Sequence, residues 1–338
     1  MTRLIVTTDS SAAGAIQQAG LADLVIAIEH RLVCGPLPSE TECEAFFSPR
    51  TAQPNGLHWL DATPFWRLER SGVRGRGLID LVSECSSAEL WMGPEPNAQL
   101  LLLWLLDCGT EEAALSKLAI RHLDLAVGDV APAQSAKMNP PVVKLTQDHV
   151  QLASRAWQAF RAPAPQAWFG LLETDLSLFP QLEPCVVALL EELPNVTSGL
   201  GATETRILEL IAPGGVQPFD VFPGYGRPNE RRVFDYWEVG ALLDGLARGP
   251  EPAVAGLDEG PFTLHMHDDA RRFAQYKQSL MSLTDFGKAV LAGEEDFPRH
   301  KPIRRSWGGT LLTNERLWRW DAENRALIAP DQGVAHGD

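Results

Sequence analysis

The stretch from Leu4 to Ile28 constrains the fold more than any other, through the order of its apolar and polar segments. Leu4–Val6 is a short apolar run of the kind that forms a buried strand. Thr7–Ser11 is a polar turn, Ala12–Ala19 is a run of small residues suited to a helix, and Gly20 stops it. Leu24–Ile28 is a second apolar run. Strand, turn, helix and strand in that order make a βαβ unit, and its two strands lie parallel in one sheet.

The pattern continues downstream. Cys34-Gly35-Pro36-Leu37-Pro38 reads as a turn, and Ser39 as the cap of a helix through Phe47. Residues 50–77, with Trp59, Trp66 and Arg74-Gly75-Arg76-Gly77, show no clear period. Ala88–Met92 is a further sheet strand, followed by the turn Gly93-Pro94-Glu95-Pro96. The helix Asn97–Leu106 is apolar almost all round and is expected to be buried. Leu123–Val127 is the expected last strand, and 128–145, rich in Pro, Gly and Ala, reads as a linker. Three helices follow, Gln147–Phe160, Gln166–Glu173 and Gln181–Leu193.

Near the C-terminus stands Leu283-Thr284-Asp285-Phe286-Gly287-Lys288-Ala289-Val290-Leu291, with Thr284 in N-cap position before Phe286, Val290 and Leu291. A Leu-Thr-x-x-Gly-x-x-x-Leu run typically opens the helix after the wing of a winged helix-turn-helix. The expected elements are helices at Glu204–Ala212, Gln217–Phe222 and, in recognition position, Val233–Ala247. Phe262–His265 and Ser279–Leu283 are the wing strands, and Asp285–Ala292 is the closing helix. Thr310–Thr313 and Leu317–Trp320 read as the strands of one terminal β-hairpin. The expected fold is therefore α/β: a Rossmann-like parallel sheet over 1–128, a linker and helical connector over 129–198, and a winged-helix-like domain with its hairpin over 199–330.

Charge and cysteine usage exclude several functions. The net charge of −15 disfavours non-specific nucleic-acid binding. Residues 200–297 hold sixteen acidic and nine basic side chains, and the recognition-position helix has no Lys or Arg, so duplex DNA is an unlikely partner for it. Residues 298–320 are the exception: Arg299, Lys301, Arg304, Arg305, Arg316 and Arg319 face only Glu315, a strip suited to an acidic partner. The five cysteines, Cys34, Cys43, Cys85, Cys108 and Cys185, are odd in number, widely spaced and without Cys-x-x-Cys. That argues against a disulfide framework or thiolate zinc site, and fits a reducing cytoplasm. The N-terminal apolar run is too short for a signal peptide, and Leu100–Leu106 too short for a membrane span.

Candidate ligand-binding residues gather at the carboxyl ends of the strands: Asp9, Ser10 and Ser11 after the first, Gly35 after the second, and Glu95 after the third. Asp9 repels a phosphate, so a ribose hydroxyl or a metal-bound ligand suits it better, and its alternative role is an Asx turn and helix cap. There is no Gly-x-Gly-x-x-Gly and no Walker lysine, and no cofactor is implied. His265-x-His267-Asp268-Asp269 has the alternation of a strand, but a solvated wing tip fits it better than a metal site. Cys34, four residues from His30, reads as a buried inert thiol, and no catalytic residue is assigned. The candidate partner-binding residues are Arg304, Arg305, Trp307, Trp318 and Trp320; the Trp-rich hairpin reads as a stacking platform or, more often, the closure of a core.

Ordered blocks along the chain resemble a bacterial family, the domain of unknown function 1835. They are Asp9-Ser10-Ser11-Ala12-Ala13-Gly14-Ala15-Ile16 with Ala19-Gly20-Leu21, then Gly35-Pro36-Leu37-Pro38, then Leu90-Trp91 with Gln99-Leu100. Ala156-Trp157-Gln158-Ala159-Phe160-Arg161-Ala162-Pro163, Arg304, Trp307-Gly308-Gly309 and Trp318-Arg319-Trp320-Asp321 complete the likeness, which runs from Leu4 to about Leu327. The family usually has His-Glu where this chain has Val33-Cys34, and Glu-His-Asp where it has Gly93-Pro94-Glu95-Pro96. The resemblance implies no known reaction, and the lost polar groups point away from catalysis. The expected function is a non-catalytic regulatory or adaptor protein binding protein or peptide through its winged helix. The alternatives are a nucleotide-binding enzyme or sensor at the sheet edge, and a transcription regulator using the basic tail.

Overall fold

A computed structural model describes residues 2–50, 58–61, 73, 75–109, 112–124, 140–224 and 227–330 of the chain. Trp66, Arg74, residues 125–127 of the expected last strand, and 128–139 of the expected linker lie outside the described residues. Contacts divide the chain into two compact units, Met1–Ala162 with Gly170–Val186, and Pro163–Phe169 with Val187–Asp338.

The first unit is mixed α/β, built on a five-stranded, mostly parallel sheet. Its strands are β1 (Arg3–Thr7), β2 (Leu24–Ala27), β3 (Ser87–Met92), β4 (Leu118–His122) and β5 (Val143–Lys144), in the order β2-β1-β3-β4-β5. Leu4 of β1 lies opposite Leu24 of β2 and Ala88 of β3, so the three expected strands are parallel neighbours. Only β5 runs antiparallel. Leu4 and Ile5 are wholly buried, each such side chain contributing roughly 1.5–3 kcal/mol of transfer free energy. The helix Pro96–Gly109 buries Leu100 through Leu106 on every side, as its composition requires.

The last parallel strand among the described residues is Leu118–His122; Leu123 and Asp124, the described part of the expected strand, follow it outside the sheet. The sequence disguises it, because Arg121 sits mid-strand and is itself buried. Arg121 Nε donates to Glu89 Oε2 of β3 at 2.5 Å, and the same carboxylate accepts from Trp91 Nε1 at 2.9 Å and Arg3 Nη2 at 2.8 Å. Burial pushes the Glu89 carboxyl up, but these donors outweigh it and hold the group below the usual carboxylate range.

In the second unit, helix Ala202–Ile211, the 3₁₀ turn Pro218–Asp220 and helix Tyr236–Ala247 follow one another. Strands Val254–Ala255 and Ser282–Leu283 pair antiparallel, and Val216 bridges Met281 beside them. Ile207, Leu208, Ile211, Leu243, Met281 and Val290 share their core. The expected wing strand Phe262–His265 is not formed: Phe262 and Thr263 lead into a helix that begins at Leu264. Thr263 caps Leu264–Asp268 and Asp269 caps Ala270–Gln278, accepting from Arg271 N at 3.0 Å and Arg272 N at 3.1 Å. The closing helix Asp285–Leu291 begins as expected, with Thr284 Oγ1 accepting from Gly287 N at 2.9 Å.

The tail holds two hairpins rather than one. Thr310–Thr313 pairs with Arg304–Trp307 across the two-residue Gly308-Gly309 turn, and Arg319–Asp321 pairs with Ala326–Ile328. Gly308 adopts φ +53°, which that tight connection demands. Asn314–Arg316 is a 3₁₀ turn, not the tip of a hairpin. Among the described residues no helix is long and apolar enough to cross a membrane.

Candidate functional site

The strand order reverses direction at β1, so the crevice where open α/β sheets place ligands lies between the carboxyl ends of β1 and β3. Asp9 follows β1 and caps helix Ser10–Gln18, its Oδ1 accepting from Ala12 N at 2.7 Å. Glu29 Oε1, just past β2, accepts from Ser10 N at 2.7 Å. Two carboxylates therefore occupy the amides that an anion would use at this helix start. Ser11 is exposed beside them.

Gly35 lies in the exposed turn after Val33 with φ +77°. The segment leading to it is pinned to the helix after β3 by Asn97, whose Oδ1 accepts from Leu32 N at 2.8 Å and whose Nδ2 donates to His30 O at 2.9 Å. Glu95 folds back over Gly93, where a Cβ would stand 2.0 Å from its Oε2. Gln99 Nε2 donates to Gly93 O at 2.6 Å and to Gln181 Oε1 at 2.9 Å. The structure thus gathers Asp9, Ser10 and Ser11 in one turn, adds Glu29, and leaves Gly35 and Glu95 in separate turns. Sequence reading missed Glu29, Asn97 and Gln99. The signal for the last two was a pair of amides in the first turn of an otherwise apolar helix.

His30 packs on Trp104 with ring centroids 5.3 Å apart, and burial, with Arg31, lowers its pKa. Cys34 is exposed rather than buried, because it stands in the open Gly-Pro turn. His265 and His267 lie two apart on a helix and so point to different sides, which removes the strand-like pairing their spacing suggested. Among the described residues no group of three His, Cys, Asp or Glu could hold a metal ion.

Much of the basic strip is engaged within the second unit. Arg305 bonds Glu204 Oε2 at 3.0 Å and Glu192 O at 3.1 Å, and Arg319 grips both oxygens of Asp296 at 3.0 and 2.7 Å. Lys301 is held by the carbonyls of Gly245 and Arg248, while Arg304 is exposed. Trp307, Trp318 and Trp320 keep 5, 7 and 3 % of their surface, and Trp307 Nε1 donates to Leu189 O at 2.7 Å. These rings mostly close a core, and little of any of them is left for a base to stack on.

Trp320 also floors an open groove of about 670 Å³ in the second unit, walled by helix Ala202–Ile211 and the segment 227–231. Arg206, Arg227 and Arg231 line it together with Glu191, Glu209 and Glu230. Arg206 Nη1 bonds Glu209 at 2.8 Å, and Arg227 Nη1 reaches Phe219 O at 3.0 Å. Beneath the rim, Arg231 Nε donates to the buried Glu192 Oε1 at 2.7 Å, which also accepts from Thr203 Oγ1 at 2.6 Å. Burial pushes the Glu192 carboxyl up, and Arg231 and Thr203 pull against it.

No family model matches the chain, and no curated protein matches it in sequence.

Proposed function

We propose that this chain is a non-catalytic regulatory or adaptor protein, a divergent relative of the family it resembles, that grips a protein or peptide segment through a winged-helix-like C-terminal part. The order helix, turn, helix, strand, strand supports that arrangement, and an isolated bridge between Val216 and Met281 lies beside the two strands. Two helices fill the place of the wing. The Rossmann-like sheet is then a scaffold.

The groove beside Trp320 carries the reading. Its volume of about 670 Å³ falls within the roughly 300–1,000 Å³ that seats a compact ligand. Three guanidiniums and three carboxylates line it, so its formal charge cancels and a phosphate gains little there. A peptide, with donors and acceptors of both kinds, matches such a wall. At the sheet edge, Asp9 and Glu29 weigh against the nucleotide alternative by occupying the helix amides. The helix Tyr236–Ala247, without a cationic side chain, weighs against a DNA-reading one.

A photo-crosslinking amino acid placed at Thr205 in the groove tests this in the native host. The expected outcome is a covalent product with a partner protein that Arg227→Glu abolishes, and no product from the same probe at Asp61 in the N-terminal unit. Equal labelling at both positions, or no product at Thr205, overturns the reading. So does turnover of a nucleotide that is lost in Asp9→Asn.

A further inference from the structure

The first unit holds a pair of thiols that the sheet-edge and groove readings leave unused. Helix Glu40–Phe47 packs on helix Pro96–Gly109 and presents Cys43 to it, buried to 4 %. Trp104 and Cys108 stand one helical turn apart on the second helix, so both face the first. The Trp104 indole N–H donates to the Cys43 sulfur at 2.7 Å. The Cys43 and Cys108 thiols are in hydrogen-bond contact with one another, and neither is in a disulfide. Cys108 is half-buried, so one side of the pair faces solvent.

This setting favours a thiolate on Cys43. The contact with Cys108, aided by Trp104 and the charge of Arg161 against burial and Asp107, lowers the pKa of the Cys43 thiol. The same contact, with burial, pushes the Cys108 thiol up. Two sulfurs side by side, one of them more open to solvent, stand in the relation between an attacking and a resolving cysteine.

We propose that Cys43 and Cys108 are a redox couple that closes to an intramolecular disulfide when hydrogen peroxide reaches them. The Cys43 thiolate attacks one peroxide oxygen; an S–O bond forms, the O–O bond breaks, and the departing hydroxide takes a proton and leaves as water. Cys43 now carries a sulfenic acid. The Cys108 sulfur attacks it; the S–S bond forms, the S–O bond breaks, and hydroxide leaves as a second water with the proton of Cys108. Two thiols are oxidised by one peroxide, and a thiol reductant reverses the change by exchange. The disulfide ties the helix after β2 to the end of the helix after β3. A transient bond of this kind is compatible with a reducing compartment.

The test is peptide mapping of the full chain after limited peroxide treatment and alkylation. Two of the five thiols should disappear together, with Cys43 and Cys108 joined within one chain and both recovered by dithiothreitol. Cys34, exposed and not part of the pair, should remain alkylatable under the same limited treatment. In Cys108→Ser the reaction should halt at a Cys43 sulfenic acid that dimedone captures. The proposal is overturned if Cys43 and Cys108 stay alkylatable while Cys34 oxidises or links two chains. It is equally overturned if wild-type Cys43 accumulates as sulfenic acid without forming the bond. Mapping of the wild-type chain decides the matter even if a variant fails to fold.

Discussion

Replacing Gly287 by alanine sets two opposing effects against each other. Gly287 lies in the first turn of helix Asp285–Leu291, where alanine improves helix propensity by up to about 1 kcal/mol. A Cβ there, however, would stand 2.0 Å from Ala253 O and 2.9 Å from its carbonyl carbon. Those atoms are backbone and cannot swing aside. Ala253 O accepts from Thr284 N at 3.1 Å, Ala253 N donates to Leu246 O at 2.9 Å, and Thr284 Oγ1 donates to Pro252 O at 2.8 Å. Making room separates the helix from the strand beside it. The overpacking costs about 1–3 kcal/mol, and loss of the bond to a buried carbonyl about 1–3 kcal/mol more. Subtracting the propensity gain leaves a net loss of about 3 kcal/mol, a fall in Tm of roughly 6–12 °C at about 2–4 °C per kcal/mol. Gly245→Ala is the matched control. It is interior to helix Tyr236–Ala247, and its added Cβ meets nothing within 4 Å, so Tm should rise by about 2–4 °C. Melting curves of the two variants read the difference directly. If Gly287→Ala raises Tm as Gly245→Ala does, the close approach does not explain why glycine stands in this motif.

Arg231→Ala leaves the buried Glu192 carboxylate without its main partner. It should cost about 3 kcal/mol, the low end for a broken buried pair, because the arginine side chain keeps 23 % of its surface. In urea titrations of both, the double variant Glu192→Leu with Arg231→Met should recover most of that stability; no recovery would mean the arginine acts through packing alone. His300 bridges Glu251 Oε2 at 2.5 Å and Glu295 Oε2 at 2.9 Å, and both carboxylates raise its pKa above 6.5. The bridge therefore stabilises fully below about pH 6.5 and fades as pH rises through the raised folded value. The Tm difference between wild type and His300→Gln should be largest near pH 6 and shrink above neutrality, and a difference independent of pH would contradict this.

The N-terminal sheet was legible where apolar runs sit between turn signals, as at Leu4–Val6, Leu24–Ile28 and Ala88–Met92. It was illegible at Leu118–His122, because a strand that buries an arginine against Glu89 lacks the apolar run that marks a strand. The helices from Leu264 to Gln278 were hidden by the alternation of His265 and His267, although Thr263 and Asp269 were there to be read as caps. Asp9 proved legible as a cap, whereas its partner Glu29 comes from the next strand end, and no local pattern announces that meeting. The groove is harder still. Its wall comes from residues 191–195, 202–209, 227–231 and 320–322, segments brought together only by the fold.

Charge read along the chain misled in an instructive way. The acidic stretch 200–297 and the basic strip 298–320 look like two surfaces with two partners. In the structure, Arg305 meets Glu204, and Arg319 and Arg299 both meet Asp296. Each such pair is worth little where it is exposed, about 0–1 kcal/mol. The bidentate Arg319–Asp296 contact is the strongest candidate for more, since both side chains are mostly covered, at 20 and 14 % exposure. Block charge asymmetry in this chain therefore describes complementarity between the tail hairpins and the helical core they cover. It does not describe a field offered to solvent. Arg304 is exposed on its strand, and Arg227 at the groove rim donates to the neutral carbonyl of Phe219. Of the cations that line the groove, Arg206 and Arg231 are paired with carboxylates, so reversal of Arg227, rather than removal of the basic strip, is the decisive substitution for the peptide-binding reading.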